Sequence, residues 1–346
     1  MRTIAIKRFG APSMLEVREA PDPQLKPGEI LIRVKTVGVN FADLLQRMGL
    51  YPGIPKPPFV PGLEVAGLVE KVADGGRAGD GEPLRVGDAV VAVTHFNAYA
   101  EWVAVRAGHV YKLPPTMTFE DGAAFFVNYV TAYHSMFQMG NLQAGDRILI
   151  HSAAGGVGIA AVQLAKARGL EIFGTAGPAK IDFLRKIGVD HAIDYEKNDF
   201  VKVVQKFAPD GIEMALDANG GRSWSQSAEC LGPTGRLVVF GLAAAAKGTK
   251  RNWISAIATI AKTPRFHPLK LMGGNLAVIG VSLGGVLDSQ HGSALIRREF
   301  EELLKMYSAG ALKPVIAKSF PLLDAAAAHQ FIHDRKNIGK VLLTVK

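Results

Sequence analysis

The decapeptide H-S-A-A-G-G-V-G-I-A (151–160) directly follows the apolar run R-I-L-I and opens an alanine-rich amphipathic stretch. Read as A-x-G-x-x-G, it is a phosphate-cradling fingerprint with Ala153 in place of the first glycine. Gly155 lets backbone approach a pyrophosphate, Gly158 permits close packing of helix on strand, and the helix N-terminus offers amide donors and partial positive charge. Without a ligand, the same residues read as a tight strand–helix turn. An NAD-binding site of this kind presents an Asp or Glu to the ribose about 20 residues further on. Here the stretch is G-T-A-G-P-A-K (174–180). Gly174 and Thr175 stand where the acid would be, Gly177 adds space, and Lys180 brings a cation. Tyr195, after the following strand, can lie along the adenosine end. The pattern predicts NADPH rather than NADH. Read blandly, Lys180 is a solvated helix residue.

These groups need a scaffold. From residue 147 onward, strand candidates (R-I-L-I-H, L-E-I-F-G, H-A-I-D-Y, I-E-M-A-L-D, R-L-V-V-F-G and L-A-V-I-G-V) alternate with amphipathic stretches closed by glycine. That alternation predicts an α/β fold with a doubly wound parallel sheet. The first ~115 residues instead carry short β-rich runs separated by Pro/Gly turns. T-F-E-D at 118–121 predicts a helix start, and a further helix is expected over 293–309 with Gly310 as its cap. The last stretch returns to β-like runs, V-I-A-K-S-F and K-V-L-L-T-V. A glycine-rich charged segment, 73–84, reads as an exposed loop.

Composition narrows the field. With 346 residues, 48% hydrophobic and 21% charged, the chain suits two soluble domains. No apolar run is long enough to span a bilayer, and the first residues lack an apolar signal core, so cytoplasmic residence is expected. Cys230 is the single cysteine, which excludes an internal disulfide and a multi-cysteine zinc site. The net charge of +9 is scattered rather than clustered, which argues against nucleic acid as a partner and for anionic ligands.

Taken together, the motifs resemble the medium-chain dehydrogenase/reductases. Zinc enzymes of that superfamily carry a cysteine in the segment matching G-V-N-F-A-D and a histidine in that matching P-G-L-E-V-A-G. Those positions are Asn40 and Leu63 here, so no catalytic metal is expected. G-V-N-F-A-D-L-L-Q-R-M-G-L-Y-P, S-A-A-G-G-V-G, D-A-N-G-G and K-N-I-G-K-V-L-L are similar instead to the zinc-free quinone oxidoreductases. V-N-Y-V-T-A-Y, G-T-A-G-P-A-K and K-R-N-W are similar to the vesicle amine transport protein homologue branch.

The resemblance implies a GroES-like catalytic domain at 1–120, a Rossmann NADP-binding domain at 121–290, and a return at 291–346 completing the first. It implies a homodimer. It assigns Ala154, Gly155, Gly156 and Val157 to the pyrophosphate, and Gly177, Lys180 and Tyr195 to the adenosine phosphate. Asn219 would face the nucleotide. Phe240, Gly241, Leu242, Val281, Ser282 and Leu283 would flank the nicotinamide. Asn40, Tyr51, Asn128 and Thr131 match positions near nicotinamide and substrate, and Asn337 matches a C-terminal contact.

Without a metal to polarise a carbonyl, the suitable acceptors are quinones and α,β-unsaturated carbonyls, which already take hydride well. The protein then has to orient the acceptor and stabilise an oxyanion, for which Tyr51 and Asn40 are the candidates. Read without function, Tyr51 is a turn aromatic and Asn40 a structural turn residue. His134, His151, Asp43 and Asp217 read as packing or backbone-fixing groups, and Cys230 as core. A rival reading is a nucleotide-bound scaffold or peripheral membrane adaptor with little turnover.

Overall fold

The computed structural model describes residues 1–73, 81, 83–246, 248–249 and 253–346, without the side chains of 253–256. Most of the 73–84 loop and of the K-R-N-W segment therefore lies outside the described residues. The chain divides into two compact units: Met1–Val127 with Gly248–Arg251 and Leu283–Lys346, and Asn128–Lys247 with Asn252–Ser282.

The first unit opens with the hairpin β1 (Arg2–Ile6) and β2 (Leu15–Glu19), then β3 (Glu29–Val39), helix α1 (Phe41–Met48), β4 (Glu64–Val72), β5 (Ala89–Val93), β6 (Trp102–Arg106) and β7 (Val110–Lys112). Strand β3 alternates along its first half, with Ile30, Ile32 and Val34 fully inside and Arg33 outside. That is the period-two signature of a sheet with one buried face. Helix α2 (Phe119–Tyr133) starts where T-F-E-D predicts, with the Thr118 hydroxyl accepting from the Asp121 amide.

The second unit is a strand–helix alternation in which β-branched and leucine-rich runs bury both faces. In order come β8 (Arg147–Ile150), α3 (Gly156–Ala167), β9 (Glu171–Ala176), α4 (Ile181–Lys186), β10 (His191–Asp194), α5 (Phe200–Phe207), β11 (Ile212–Asp217), α6 (Arg222–Ala228), β12 (Leu231–Val239), α7 (Trp253–Ala261), α8 (Pro268–Gly274) and β13 (Ala277–Gly280). The sheet order is β10-β9-β8-β11-β12-β13 and every pairing is parallel. This is the doubly wound arrangement expected from the alternation. Its order reverses between β8 and β11, the point beyond whose carboxyl ends ligands bind in such sheets.

The chain then returns to the first unit through α9 (Leu283–Leu287), α10 (Gln290–Ser308), β14 (Ile316–Pro321), α11 (Ala325–His333) and β15 (Lys340–Thr344). Helix α10 covers the expected segment, and Gly310 just beyond it takes φ +75°, a left-handed value that favours glycine. Strand β15 pairs antiparallel with β3, and β14 lies parallel outside it. The core of this unit joins Ile30, Val37, Val65 and Val90 to Leu322, Val341 and Leu343.

Candidate functional site

In the second unit, α3 starts at Gly156 with Gly155 as its N-cap, so the first-turn amides of Gly156, Val157 and Gly158 have no acceptor within the helix. Two glycines are required by close approach. A Cβ at Gly158 would stand 2.4 Å from the Ser152 carbonyl oxygen, and one at Gly156 would stand 2.5 Å from the Asn128 amide nitrogen. The latter seats Asn128 against the fingerprint. Thr131, one turn further along α2, is buried. Ser152 adopts φ +53°, rare for a residue with a side chain, and its hydroxyl faces the Asn219 side-chain oxygen at 3.5 Å. The ends of β8 and β11 are thus linked at the switch point.

A buried polar cluster lies beneath. Asp217 accepts from the Asn219 amide at 2.7 Å, the Ser223 hydroxyl at 2.6 Å and the Ser227 hydroxyl at 2.8 Å. Because Ser227 gives its hydrogen to Asp217, its oxygen accepts from His151 Nε2 at 2.9 Å, while His151 Nδ1 accepts from Thr175 at 3.1 Å. Burial holds the His151 pKa below its ordinary value, against the pull of Asp217. His151 and Asp217, read from sequence as packing and turn-fixing groups, tie the carboxyl ends of β8, β9 and β11 together. Cys230 is buried and its thiol is pushed up to about 12, as suits a core residue.

At the adenosine end, Thr175 is occupied with His151, and Gly174 packs on Val189 and Ala153. A Cβ on Gly177 would meet the Tyr195 hydroxyl at 3.3 Å, so Gly177 and Tyr195 are neighbours, with the half-buried Lys180 closing the same turn. The Glu196 carboxylate lies 3.9 Å from that Cβ position. It lies in the turn after β10, whose last residue, Asp194, pairs with Ala176 at the end of β9, and the fingerprint spacing gave no sign of it. Phe240 follows β12, and Leu242 packs on Gly220 beside Asn219, closely enough that a Cβ on Gly220 would come within 2.3 Å of its methyl. Val281 bonds back to Val239, with Ser282 next in the chain. Glycines at the start of α3, its unpaired first-turn amides and the absence of an acid within G-T-A-G-P-A-K fit NADPH.

In the first unit, Asn40 caps α1. Its amide nitrogen donates to Glu64 Oε1 at 2.9 Å and to the Gly38 carbonyl at 3.2 Å, and its oxygen accepts from Lys340 at 2.7 Å. Glu64 also bonds directly to Lys340 and accepts from the Val127 amide at 3.0 Å. Asn40, expected from sequence as a donor to substrate, therefore has both hydrogens engaged inside the protein. Asp43 is fully buried; one oxygen accepts from the Asn40 amide at 2.9 Å and the Tyr99 hydroxyl at 3.0 Å. Burial lifts its carboxyl to about 7, against its hydrogen bonds and the Lys340 charge. Tyr51 is half-buried; desolvation first, and the Asp43 charge second, raise its phenol above the ordinary value. Leu283 begins α9, and Asn337 donates to the Gly339 carbonyl at 3.2 Å. Among the described residues no group of three or more His, Cys, Asp and Glu side chains is disposed to hold a metal ion.

Residues 156–308 match the zinc-binding dehydrogenase family, and residues 26–115 the alcohol dehydrogenase GroES-like domain. The Homo sapiens synaptic vesicle membrane protein VAT-1 homolog is 37% identical over 346 residues, covering 99% of this chain and 86% of that protein. The Homo sapiens quinone oxidoreductase is 30% identical over 352 residues, covering 99% of this chain and 97% of that protein. The crystal structure of Escherichia coli quinone oxidoreductase complexed with NADPH superposes with a TM-score of 0.85 at 28% identity, covering 99% of this chain and 100% of that one.

Proposed function

We propose that this chain, which belongs to the medium-chain dehydrogenase/reductase superfamily of oxidoreductases, carries hydride from NADPH to a quinone or an α,β-unsaturated carbonyl. The observation that carries the reading is the build of the nucleotide end: a glycine-walled cradle at α3 and, in the G-T-A-G-P-A-K stretch that closes β9, a cation and no acidic residue. The cofactor is NADPH, which supplies the hydride. Ala154 to Val157 offer amides to the pyrophosphate. Gly177, Lys180 and Tyr195 receive the 2′-phosphate, Asn219 faces the nucleotide, and Phe240, Gly241, Leu242, Val281, Ser282 and Leu283 flank the nicotinamide, with Asn128 and Thr131 near nicotinamide and substrate and Asn337 as a C-terminal contact. Segments 1–120 and 291–346 act as the catalytic domain, and 121–290 as the nucleotide domain.

The Tyr51 hydroxyl donates to the acceptor oxygen as negative charge develops there. Asn40, whose amide is saturated, acts through the loop it fixes rather than by contact. The acceptor's own electrophilicity replaces metal polarisation, which restricts the substrates to activated carbonyls.

The chain acts as a homodimer in the cytoplasm. Strand β13 is the outermost strand of its sheet, and Leu269 and Met272 of α8 just before it are 66% and 71% exposed. An open strand edge beside exposed apolar side chains is a liability that pairing of two copies removes. The name of the VAT-1 relative motivates a second reading, a peripheral vesicle-surface adaptor; no helix among the described residues is long and apolar enough to cross a membrane. Stopped-flow mixing of the NADPH-loaded protein with a panel of quinones and enones, read at the NADPH absorbance, separates the two. Acceptor-dependent oxidation is expected, and its absence across the panel rejects the reductase.

A further inference from the structure

At the switch point of the second unit, side chains take over where the strand ladder stops. Strand β8 makes its last pairings at Ile150, to Gly174 of β9 on one side and Leu216 of β11 on the other. Strands β9 and β11 do not pair with each other, because β8 lies between them. Two main-chain bonds carry the join slightly further, from the His151 amide to the Leu216 carbonyl at 3.1 Å and from the Ala153 amide to the Thr175 carbonyl at 3.0 Å. Beyond these, the side chain that reaches both neighbours is His151, buried at 4% exposure. Its Nδ1 lies 3.1 Å from the Thr175 hydroxyl, and its Nε2 lies 2.9 Å from the Ser227 hydroxyl, which is bonded to Asp217.

The hydrogens of this series have one consistent placement. As a carboxylate, Asp217 can only accept, and it takes the Asn219 amide and the hydroxyls of Ser223 and Ser227. Ser227 has then used its hydrogen, so His151 Nε2 supplies the next one and Nδ1 is left to accept from Thr175. The neutral imidazole satisfies every member. A cation would aim a second N–H at Thr175 and displace the hydroxyl hydrogen that now points to Nδ1, in a place where Thr175 is 2% exposed. The Phe200 ring stands edge-on to the imidazole, with centroids 4.7 Å apart, and the charged group facing it is Asp217 at 3.7 Å. Burial disfavours the cation, against the pull of that carboxylate.

Each member adjoins a residue given to the nucleotide. Thr175 precedes Gly177 by two residues, His151 leads into the fingerprint, and Asp217 holds the amide of Asn219. We propose that His151 is a positioning residue for the dinucleotide: as the neutral Nε2–H tautomer it fixes the spacing between the adenosine end, carried by β9, and the Asn219 turn, carried by β11. The bond series belongs to the structure alone, and its bearing on NADPH rests on the function proposed above. Holding both ends at the bound spacing beforehand lowers the ordering cost of binding. The effect is therefore felt by a ligand that occupies both ends and not by one that occupies the adenosine end alone.

The test compares two ligands on the full-length chain by calorimetric titration: NADPH, which spans both ends, and adenosine 2′,5′-bisphosphate, which fills only the first. Thr175→Val keeps the side-chain shape and removes the hydroxyl. It should weaken NADPH roughly three- to tenfold, as one hydrogen bond of the brace is lost, and leave the bisphosphate within about twofold. His151→Leu, which cuts both ring bonds, should open the same gap between the ligands. His151→Gln, which retains a donor and an acceptor, should narrow it, and with Thr175→Val it serves if the Leu variant fails to fold. Equal losses for the two ligands, or no loss of NADPH, overturn the proposal. In the wild type, 15N spectra of labelled histidine at neutral pH should show His151 with its hydrogen on Nε2 and none on Nδ1; the opposite tautomer or an imidazolium also overturns it. If the wild type binds neither ligand, the nucleotide reading fails and this role falls with it. If both bind with the expected gap and no acceptor is reduced, the role of His151 stands and the reductase reading fails.

Discussion

The Asn128 amide lies where a side chain on Gly156 would have to go, 2.5 Å from the position of an added Cβ. The first residue of the fingerprint helix and a helix before the sheet are therefore fitted to each other. Gly156→Ala should cost about 1–3 kcal/mol by overpacking and weaken NADPH. Asn128→Ala in the same chain should restore much of the loss, because the clash is with that one side chain. Thermal unfolding and NADPH titration of the three variants check this; additive losses would mean that the crowding lies elsewhere.

Cofactor choice rests on the far end of the cradle. Lys180→Ala should weaken NADPH by about 1–2 kcal/mol, as one charge-assisted contact goes, and leave NADH nearly unchanged. Glu196→Gln should act in the opposite sense and tighten NADPH, since its carboxylate lies beside Gly177. Equal effects on both cofactors in fluorescence titrations would remove these residues from the 2′-phosphate site.

Tyr51→Phe keeps the ring and deletes the donor. It should lower kcat/KM by roughly 10- to 100-fold, more for enones than for quinones, whose product anion is already delocalised. NADPH affinity should hold. Wild-type rates with enones would make the hydroxyl a bystander.

Lys340 and Glu64 form a buried ion pair, with side chains 3% and 0% exposed. Lys340→Ala leaves Glu64 buried without its cation, at an expected cost of about 3–5 kcal/mol. Adding Glu64→Gln removes the orphaned charge and should recover part of that loss. Urea unfolding midpoints, with constant m-values, measure both.

His333 gives a pH dependence of definite sign. Burial, then the neighbouring Arg47 charge, push its imidazole down to about 4 from 6.5. Its neutral form is the one that accepts from Arg47. Its contribution is therefore complete above about pH 6.5 and is lost as pH falls toward 4. Asp43, with its carboxyl raised to about 7, works the other way, its contribution fading as pH rises from about 4 to 7. Relative to His333→Gln, the wild type should lose roughly 2–4 °C more in Tm between pH 7 and pH 5. Parallel curves would show that His333 does not titrate against folding.

Local signals carried the second unit. The strand–helix alternation and the glycines of the fingerprint, like the cap at Gly310 in the first unit, are set by neighbours in sequence, and each is visible as a spacing. What was not legible is polar and long-range. Arg47 and His329 meet across 282 residues, and Lys340 reaches Asn40 across 300. No periodicity announces such a pair, because one buried charge in an amphipathic helix looks like any solvated one until its partner is known. Asn40 shows the same limit: its residue type allowed donation to a substrate, and only its three partners reveal that its hydrogens are already used.

The insertion of β15 against β3 has a consequence for how the chain comes to be folded. The second unit is drawn from residues 128–282 and can complete its sheet while the downstream residues are still unsynthesised. The first unit cannot: β3, made early, waits for residues 340–344 to cover its edge, and Glu64 waits equally long for Lys340. During synthesis the nucleotide cradle should mature first, beside an unfinished sheet with an open strand edge and an uncompensated acid. That interval, rather than the finished protein, is where association with other chains is to be expected.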